Sequence, residues 1–252
     1  MPHKMYRYFQ ALILMALGFF LGFKIINGNL SWYINQRFAP LTFLAIVLLS
    51  ILATAIAQHG EREVEHHHHD HGHDHDHDHE HEHFAGGNLA FLIIPLAIGI
   101  LIPARPLDST ALSTRGFTTS SALVTSGSSS TTFESNAEQR TILDWIKIFN
   151  YETDLGPYIG QQAAVVGFVY HDGKLPVDQF YVSRFVVSCC SADGFALAMV
   201  TEWPGAANLE QDTWVLVRGP VQAVEKDGRN IPVIQAETIE IVPAPDQPYL
   251  YP

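Results

Sequence analysis

The sequence predicts an α-helical membrane region of three transmembrane helices followed by an all-β domain, a five-stranded OB-like barrel preceded by one amphipathic helix. Three observations carry this reading. Apolar residues gather in three N-terminal blocks instead of spreading through the 252-residue chain, a run of histidines and acids separates the second block from the third, and beyond Gln161 the apolar period shortens from helical to alternating.

The first block, Tyr8 to Ile26, reads YFQALILMALGFFLGFKII and carries one charge, Lys24, near its end, where a lysine stem can reach the headgroups. It is long enough to span a bilayer. No small-residue cleavage site follows it, so it reads as an anchor and not as a removable signal, despite the basic start at Lys4 and Arg7. Gly18 and Gly22 form a GxxxG that lets a second helix approach its backbone closely. The second block, Phe38 to Gln58, is uncharged and holds Pro40 in its first turn, where a missing N–H costs nothing. The third, Ala85 to Pro103, is shorter, and Pro95 in its middle is expected to kink it. The organisation expected is therefore two spans in residues 1–58, a disordered histidine and acid-rich loop in 59–84, a third span in 85–104, a Ser/Thr-rich linker in 105–136, and a helix with a small barrel in 137–252.

Lysine and arginine flank the spans too evenly to fix orientation, and the first helix is given precedence. That places the N-terminus and the loop in the cytoplasm and the C-terminal domain outside, in a multi-pass protein of the plasma membrane. The stretch from Ser120 to Ser135, SSALVTSGSSSTTFES, has the composition of an envelope linker.

Twelve of the fourteen histidines lie between His59 and His83. From His66, His67, His68 and His69 the run continues through His71, His73, His75, His77, His79, His81 and His83, interleaved with aspartate and glutamate. Neutral imidazole beside carboxylate is the donor chemistry favoured by Zn²⁺, Ni²⁺, Co²⁺ and Cu²⁺. Histidine at every second position offers overlapping sets of donors without fixing one of them, which suits capture, buffering or delivery of metal and not catalysis. Zinc is the preferred ion. The bland reading is a hydrophilic tether between two helices, since a tract this polar cannot bury a core.

The net charge of -12 rests largely on this loop, and no basic patch remains to track a phosphate backbone. Nucleic acid is excluded as a partner; the bilayer and divalent cations are the partners indicated.

Ala137 to Asn150 carries apolar residues at helical spacing, with Asn136 placed as N-cap. Five strands follow, in AAVVGFVY, FYVSRFVVS, FALAMVTEW, TWVLVRGPVQAV and IPVIQAETIEIV. Glycine or Asx residues at His171-Asp172-Gly173, Ala192-Asp193-Gly194, Pro204-Gly205 and Lys226-Asp227-Gly228 mark the turns, and Gly167 and Gly219 mark bends of the kind a small barrel needs.

Cys189 and Cys190 are the only cysteines and are adjacent. A bridge between neighbours would be strained, and on a strand the two would face opposite ways. They are either packed thiols, a redox pair, or ligands to metal that Asp193 and His171 could join. Arg184 either faces solvent or pairs with a carboxylate such as Asp193 or Asp212. Trp145, Trp203 and Trp214 read as packing residues. No Gly-x-Ser-x-Gly, Walker loop, Gly-x-Gly-x-x-Gly or His-Glu-x-x-His occurs on a suitable element, so an enzyme is not expected.

The order of parts, with Gly28-Asn29-Leu30 and Tyr33-Ile34 between the first two spans, GFVY at Gly167 to Tyr170, RFVVSCCSADG at Arg184 to Gly194, DTWVLVRG at Asp212 to Gly219 and DQPYLY at Asp246 to Tyr251, resembles the YcgQ-like family of bacterial permease subunits. The resemblance covers nearly the whole chain. It implies a membrane-embedded, non-enzymatic subunit acting with a separate multi-spanning permease. Two classes of function follow, a transport-associated subunit or a membrane-anchored metal-binding or sensor module that takes no part in transport. No charged residue lies at the centre of any span, which makes these helices alone a poor ion path and favours an auxiliary role in either case.

Overall fold

A computed structural model describes residues 3–62, 85–117, 136–226 and 228–252. The histidine run from His66 to His83, the Ser120 to Ser135 stretch and Asp227 lie outside the described residues. The chain forms two compact units, one of Met1–Leu30 with Gln36–Arg105, the other of Ser31–Asn35 with Pro106–Pro252.

The first unit is helical. Helices α1 (His3–Ile26) and α2 (Ala39–Arg62) each hold 24 residues, and within them Met5–Ile26 and, with the turn before α2, Gln36–Gln58 are long and apolar enough to cross a membrane. Their large side chains stay exposed in the protein, among them Phe19, Phe23, Leu41 and Ile51, as expected where lipid and not water is the surroundings. α1 meets α2 at Gly18, where a Cβ would stand 4.0 Å from both the Ile46 carbonyl oxygen and Leu49 Cβ. Gly22 has nothing within 4 Å, so of the GxxxG pair Gly18 alone serves that contact. Helix α3 (Ala85–Leu101) runs through Pro95 and packs Gly99 on the Phe20 ring so closely that a Cβ would come within 2.7 Å of it. Its apolar stretch, Leu89–Leu101, is shorter than the other two.

The second unit is a sheet closed on itself. Strands β1 (Gln162–Tyr170), β2 (Gln179–Val186), β3 (Phe195–Glu202), β4 (Trp214–Lys226), β5 (Arg229–Gln235) and β6 (Thr238–Ile241) form one sheet in the order β1-β2-β3-β5-β4-β6, and a further pairing of β1 with β4 joins five of them into a ring. All these pairings are antiparallel except β3 with β5, which run parallel over Val200–Glu202 against Val233–Gln235.

The long run IPVIQAETIEIV is two strands, not one, and β4 explains why. Along one edge β4 pairs with β1 through Pro220, while along the other it pairs with β6 at Val215–Arg218 and with β5 from Val221 onward. The exchange of partners falls at Gly219, whose missing side chain leaves room for the Gln235 carbonyl oxygen at the end of β5. Gly167 is required in the same way, since a Cβ there would stand 2.6 Å from the Ser183 carbonyl oxygen of β2.

The amphipathic stretch also divides. Ala137–Gln139 is a 3₁₀ turn, and helix α5 (Ile142–Tyr151) starts at Thr141, whose hydroxyl accepts from the Asp144 N–H while the Asp144 carboxylate accepts from the Thr141 N–H. Asn136 makes no side-chain cap. α5 buries Ile142, Trp145 and Ile148 against Val165, Val182, Met199, Val217 and Ile234 of the strands, giving the ring one continuous core.

Residues 106–117 fold with the sheet. Asp108 caps helix α4 (Ser109–Arg115), and Leu112 packs with Phe168, Phe185, Val187 and Tyr249 in a second cluster on the other face of β1 and β2. Within the expected linker, this short helix is an addition that the Asp108-Ser-Thr sequence foreshadows.

Candidate functional site

The strings that carry the family resemblance converge on the loop between β2 and β3. Asn35 donates from its backbone N–H to the Cys189 carbonyl at 3.0 Å and from its side chain to the Ser188 carbonyl at 3.0 Å. The Ser191 N–H donates to the Tyr33 carbonyl at 2.8 Å, and Ile34 forms an antiparallel bridge with Cys190. The few residues between α1 and α2 are thus joined to this loop by a single isolated β-bridge and the hydrogen bonds that flank it.

The chain's last residues hold it from a second direction. The Val187 N–H donates to the Leu250 carbonyl and the Leu250 N–H to the Phe185 carbonyl. Tyr249, almost fully buried, accepts from the Leu107 N–H at 2.9 Å and donates to the Trp32 carbonyl at 3.1 Å. Arg184 pairs with neither Asp193 nor Asp212: its guanidinium donates to the Pro248 carbonyl at 3.1 Å and the Gln247 carbonyl at 2.7 Å, over the Trp214 ring. A half-buried arginine finds in these peptide oxygens acceptors for its guanidinium. Arg115 closes the third side, donating to the Ser191 and Gly194 carbonyls at 2.9 Å each.

Asp212 has a different task. It lies in the left-handed region at φ 64°, and its carboxylate accepts from the Ser109 N–H at 2.8 Å and the Ser109 hydroxyl at 2.6 Å, tying α4 to the strand that follows.

Within this frame Cys189 is exposed and Cys190 half-buried, both as free thiols. Because they stand in the loop beyond the end of β2, the strand rule of opposite faces does not apply to them, and their sulfurs converge to 3.7 Å. Asp193 joins them, and one donor atom from each of the three residues lies within 4.8 Å of the others. The carboxylate is fixed by the Cys189 N–H at 2.7 Å and the Ser188 N–H at 3.2 Å. Partial burial pushes its pKa up, but hydrogen bonds from the Cys189 thiol and from the loop's backbone outweigh this and leave it below the usual range. The same contact acts oppositely on the thiol: bonded to Asp193 and then to Cys190, Cys189 is pushed up to about 11.

His171 does not join this cluster. It follows β1, at the far end of the β1–β2 hairpin, where its Nε2 meets the Leu209 carbonyl oxygen at 2.8 Å. Trp145 is wholly buried in the core, Trp203 packs at the core's margin, and Trp214 stands against Phe168 and Arg184. A cleft of about 490 Å³ opens separately between the end of α5, β3 and the β4–β5 turn, lined by Phe149, Tyr181, Leu197, Arg229 and Ile231. Sequence reasoning missed it because its walls come from parts of the chain that only ring closure brings together.

Comparison with known proteins agrees with these shared strings. Residues 9–118 match the DUF1980 N-terminal domain and residues 132–252 the DUF1980 C-terminal domain. The chain is 27% identical to a Streptococcus mutans protein named "Putative two-component membrane permease complex subunit", over 94% of this chain and 97% of that protein. It is 30% identical to UPF0703 protein YcgQ of Bacillus subtilis, over 96% of this chain and 99% of the relative. With both domains matched in order and a relative paired from end to end, the chain belongs to the YcgQ-like family of membrane proteins.

Proposed function

We propose that this chain is a non-enzymatic subunit of a membrane permease complex, with three spans that hold a metal-collecting segment on one side of the bilayer and an OB-like domain on the other. The observation that carries the arrangement is the bonding of Tyr33 and Asn35, which lie between the two long apolar helices, to the β2–β3 loop of the C-terminal domain. The connector and the domain then share a side. The chain leaves that side through α2 and must return before Pro106, and α3 is the apolar helix available for the return.

At 17 residues α3 is about 25 Å long at 1.5 Å per residue. That falls a few ångströms short of a hydrocarbon core of about 30 Å, a mismatch that local thinning absorbs. The histidine-rich segment sits between α2 and α3, so this route puts it opposite the domain. With the first helix oriented N-inside, the segment faces the cytoplasm.

Strand order supports the reading of the domain, since a ring running β1-β2-β3-β5-β4 and back to β1, with a parallel β3–β5 contact, is the arrangement of an OB-like barrel. The Streptococcus mutans relative's name supports a second component, which we take to be a multi-spanning permease contacted through the helices and the domain. His66 to His83 would collect Zn²⁺, with Ni²⁺, Co²⁺ and Cu²⁺ as competitors, and release it as the imidazoles protonate near pH 6.

Deletion of the gene, or replacement of His66 to His83 by a Gly/Ser segment of equal length, tests the function. The expected result is altered cellular zinc accumulation in both strains, with a multi-spanning protein copurifying with the full chain. Unchanged metal content together with an altered envelope or transcriptional response would contradict the transport role and favour a sensor.

A further inference from the structure

We propose that Cys189, Cys190 and Asp193 form a second metal site, a three-donor seat for a thiophilic divalent cation of the zinc class, with its fourth coordination position left open. The site stands apart from the histidine-rich segment and depends on neither that segment's metal binding nor the permease reading.

The sulfur spacing is the first support. Two thiolates bound to one tetrahedral ion at about 2.3 Å stand about 3.8 Å apart. The two sulfurs already stand at 3.7 Å, whereas a disulfide would need about 2.05 Å. The pair is set for a shared ion, not for a bond to each other. Most neighbouring cysteines cannot adopt this spacing along a strand, because successive side chains diverge.

What holds the spacing is the second support. Cys189 and Cys190 are fixed through their backbones by Asn35 and Ile34, and the following Ser191 by Tyr33 and Arg115, so the ligand loop is anchored from both sides. Asp193 supplies the third donor. Its two oxygens accept from the Ser188 and Cys189 N–H groups, the supporting contacts that orient a ligating carboxylate while leaving it lone pairs for an ion.

The third support is exposure. Cys189 and Asp193 are open to solvent and Cys190 is half-buried, so an arriving ion can reach the donors directly and keep a coordination position for water or for an incoming donor. Structural zinc sites are closed by four protein ligands; three ligands with an open position mark an ion that exchanges or reacts. An exchange site fits a seat from which metal is handed on. Binding displaces the two thiol protons to solvent, so the cluster passes from two neutral thiols and one carboxylate to two thiolates and one carboxylate around the cation.

Cobalt(II) titration of the full chain in detergent, reduced with a phosphine, tests the assignment, because thiolate-to-cobalt charge transfer in the near ultraviolet is not produced by imidazole. The band should appear in the full chain and bleach when Zn²⁺ is added, and with His66 to His83 replaced by Gly/Ser it should persist and saturate at one ion per chain. It should vanish in Cys189→Ser and in both Cys190→Ser and Cys190→Ala, with far-ultraviolet circular dichroism unchanged. Asp193→Asn should keep the band and weaken cobalt binding about tenfold or more. Absence of the band, its survival without both cysteines, its loss with the histidine segment, or unaltered affinity in Asp193→Asn would each overturn the site.

Discussion

Cys189 is an exposed thiol whose neighbour Asp193 is expected to slow its reaction with alkylating reagents. A thiol pushed up to about 11 by its bond to the Asp193 carboxylate holds roughly one thiolate in a thousand at pH 8, against about one in four for a free cysteine of pKa near 8.5. Alkylation by iodoacetamide should therefore be slow at pH 8 and climb steeply toward pH 11. Asp193→Asn removes the anion that raises the thiol, so alkylation at pH 8 should quicken at least tenfold, read by mass spectrometry of the labelled peptide. An unchanged rate would show that the carboxylate does not hold the proton on sulfur. Arg184 illustrates the limits of pattern. Its place in an apolar strand leaves solvent and a carboxylate partner as the alternatives, but the acceptors are backbone oxygens of Gln247 and Pro248, and no side-chain pattern announces a carbonyl. Arg184→Met should cost about 2 kcal/mol through the loss of charged hydrogen bonds, visible in denaturation followed by tryptophan fluorescence. That signal reports the second unit alone, since Trp32, Trp145, Trp203 and Trp214 all lie there.

Elements with a strong local signal were readable. The first four strands alternate or run apolar between glycine-marked turns, and α1 and α2 announce themselves by length and composition. The start of α5 was also written locally, in Thr141 and Asp144 three positions apart, although the apolar spacing pulled the expected cap to Asn136. Thr141→Ala should cost about 1 kcal/mol of stability, while Asn136→Ala should leave the denaturation midpoint nearly unchanged. The division of β5 from β6 was not readable, because it is imposed by β4, which changes partners at Gly219. Gly219→Ala would drive a methyl group into the Gln235 carbonyl and should destabilise the domain by more than the cap does, with the largest loss of amide-exchange protection in β5 and β6. Equal protection in the variant would mean that the close approach at Gly219 is not needed to seat β5.

The convergence of Cys189 and Cys190 with the Ser31–Asn35 segment depends on contacts across more than 150 positions, which is why the sequence left packed thiols, redox pair and ligands side by side as alternatives. Ring closure has the same long-range character: a parallel contact between β3 and β5 exists only once β4 has turned back between them in sequence. Composition did disclose the division into apolar helices and a sheet domain, because the two environments select different residues. What joins the two in the proposed function is the connector, a few residues that follow one apolar helix, bind the β2–β3 loop and lead into the next helix. On the proposed arrangement the C-terminal domain and the histidine-rich segment face opposite sides of the bilayer. Epitopes inserted within His66 to His83 and after Pro252, probed with an impermeant protease in intact spheroplasts and in inverted vesicles, read this sidedness directly. The proposed arrangement predicts cleavage of the C-terminal epitope in spheroplasts alone and of the histidine-segment epitope in inverted vesicles alone; cleavage of both from the same side would contradict it.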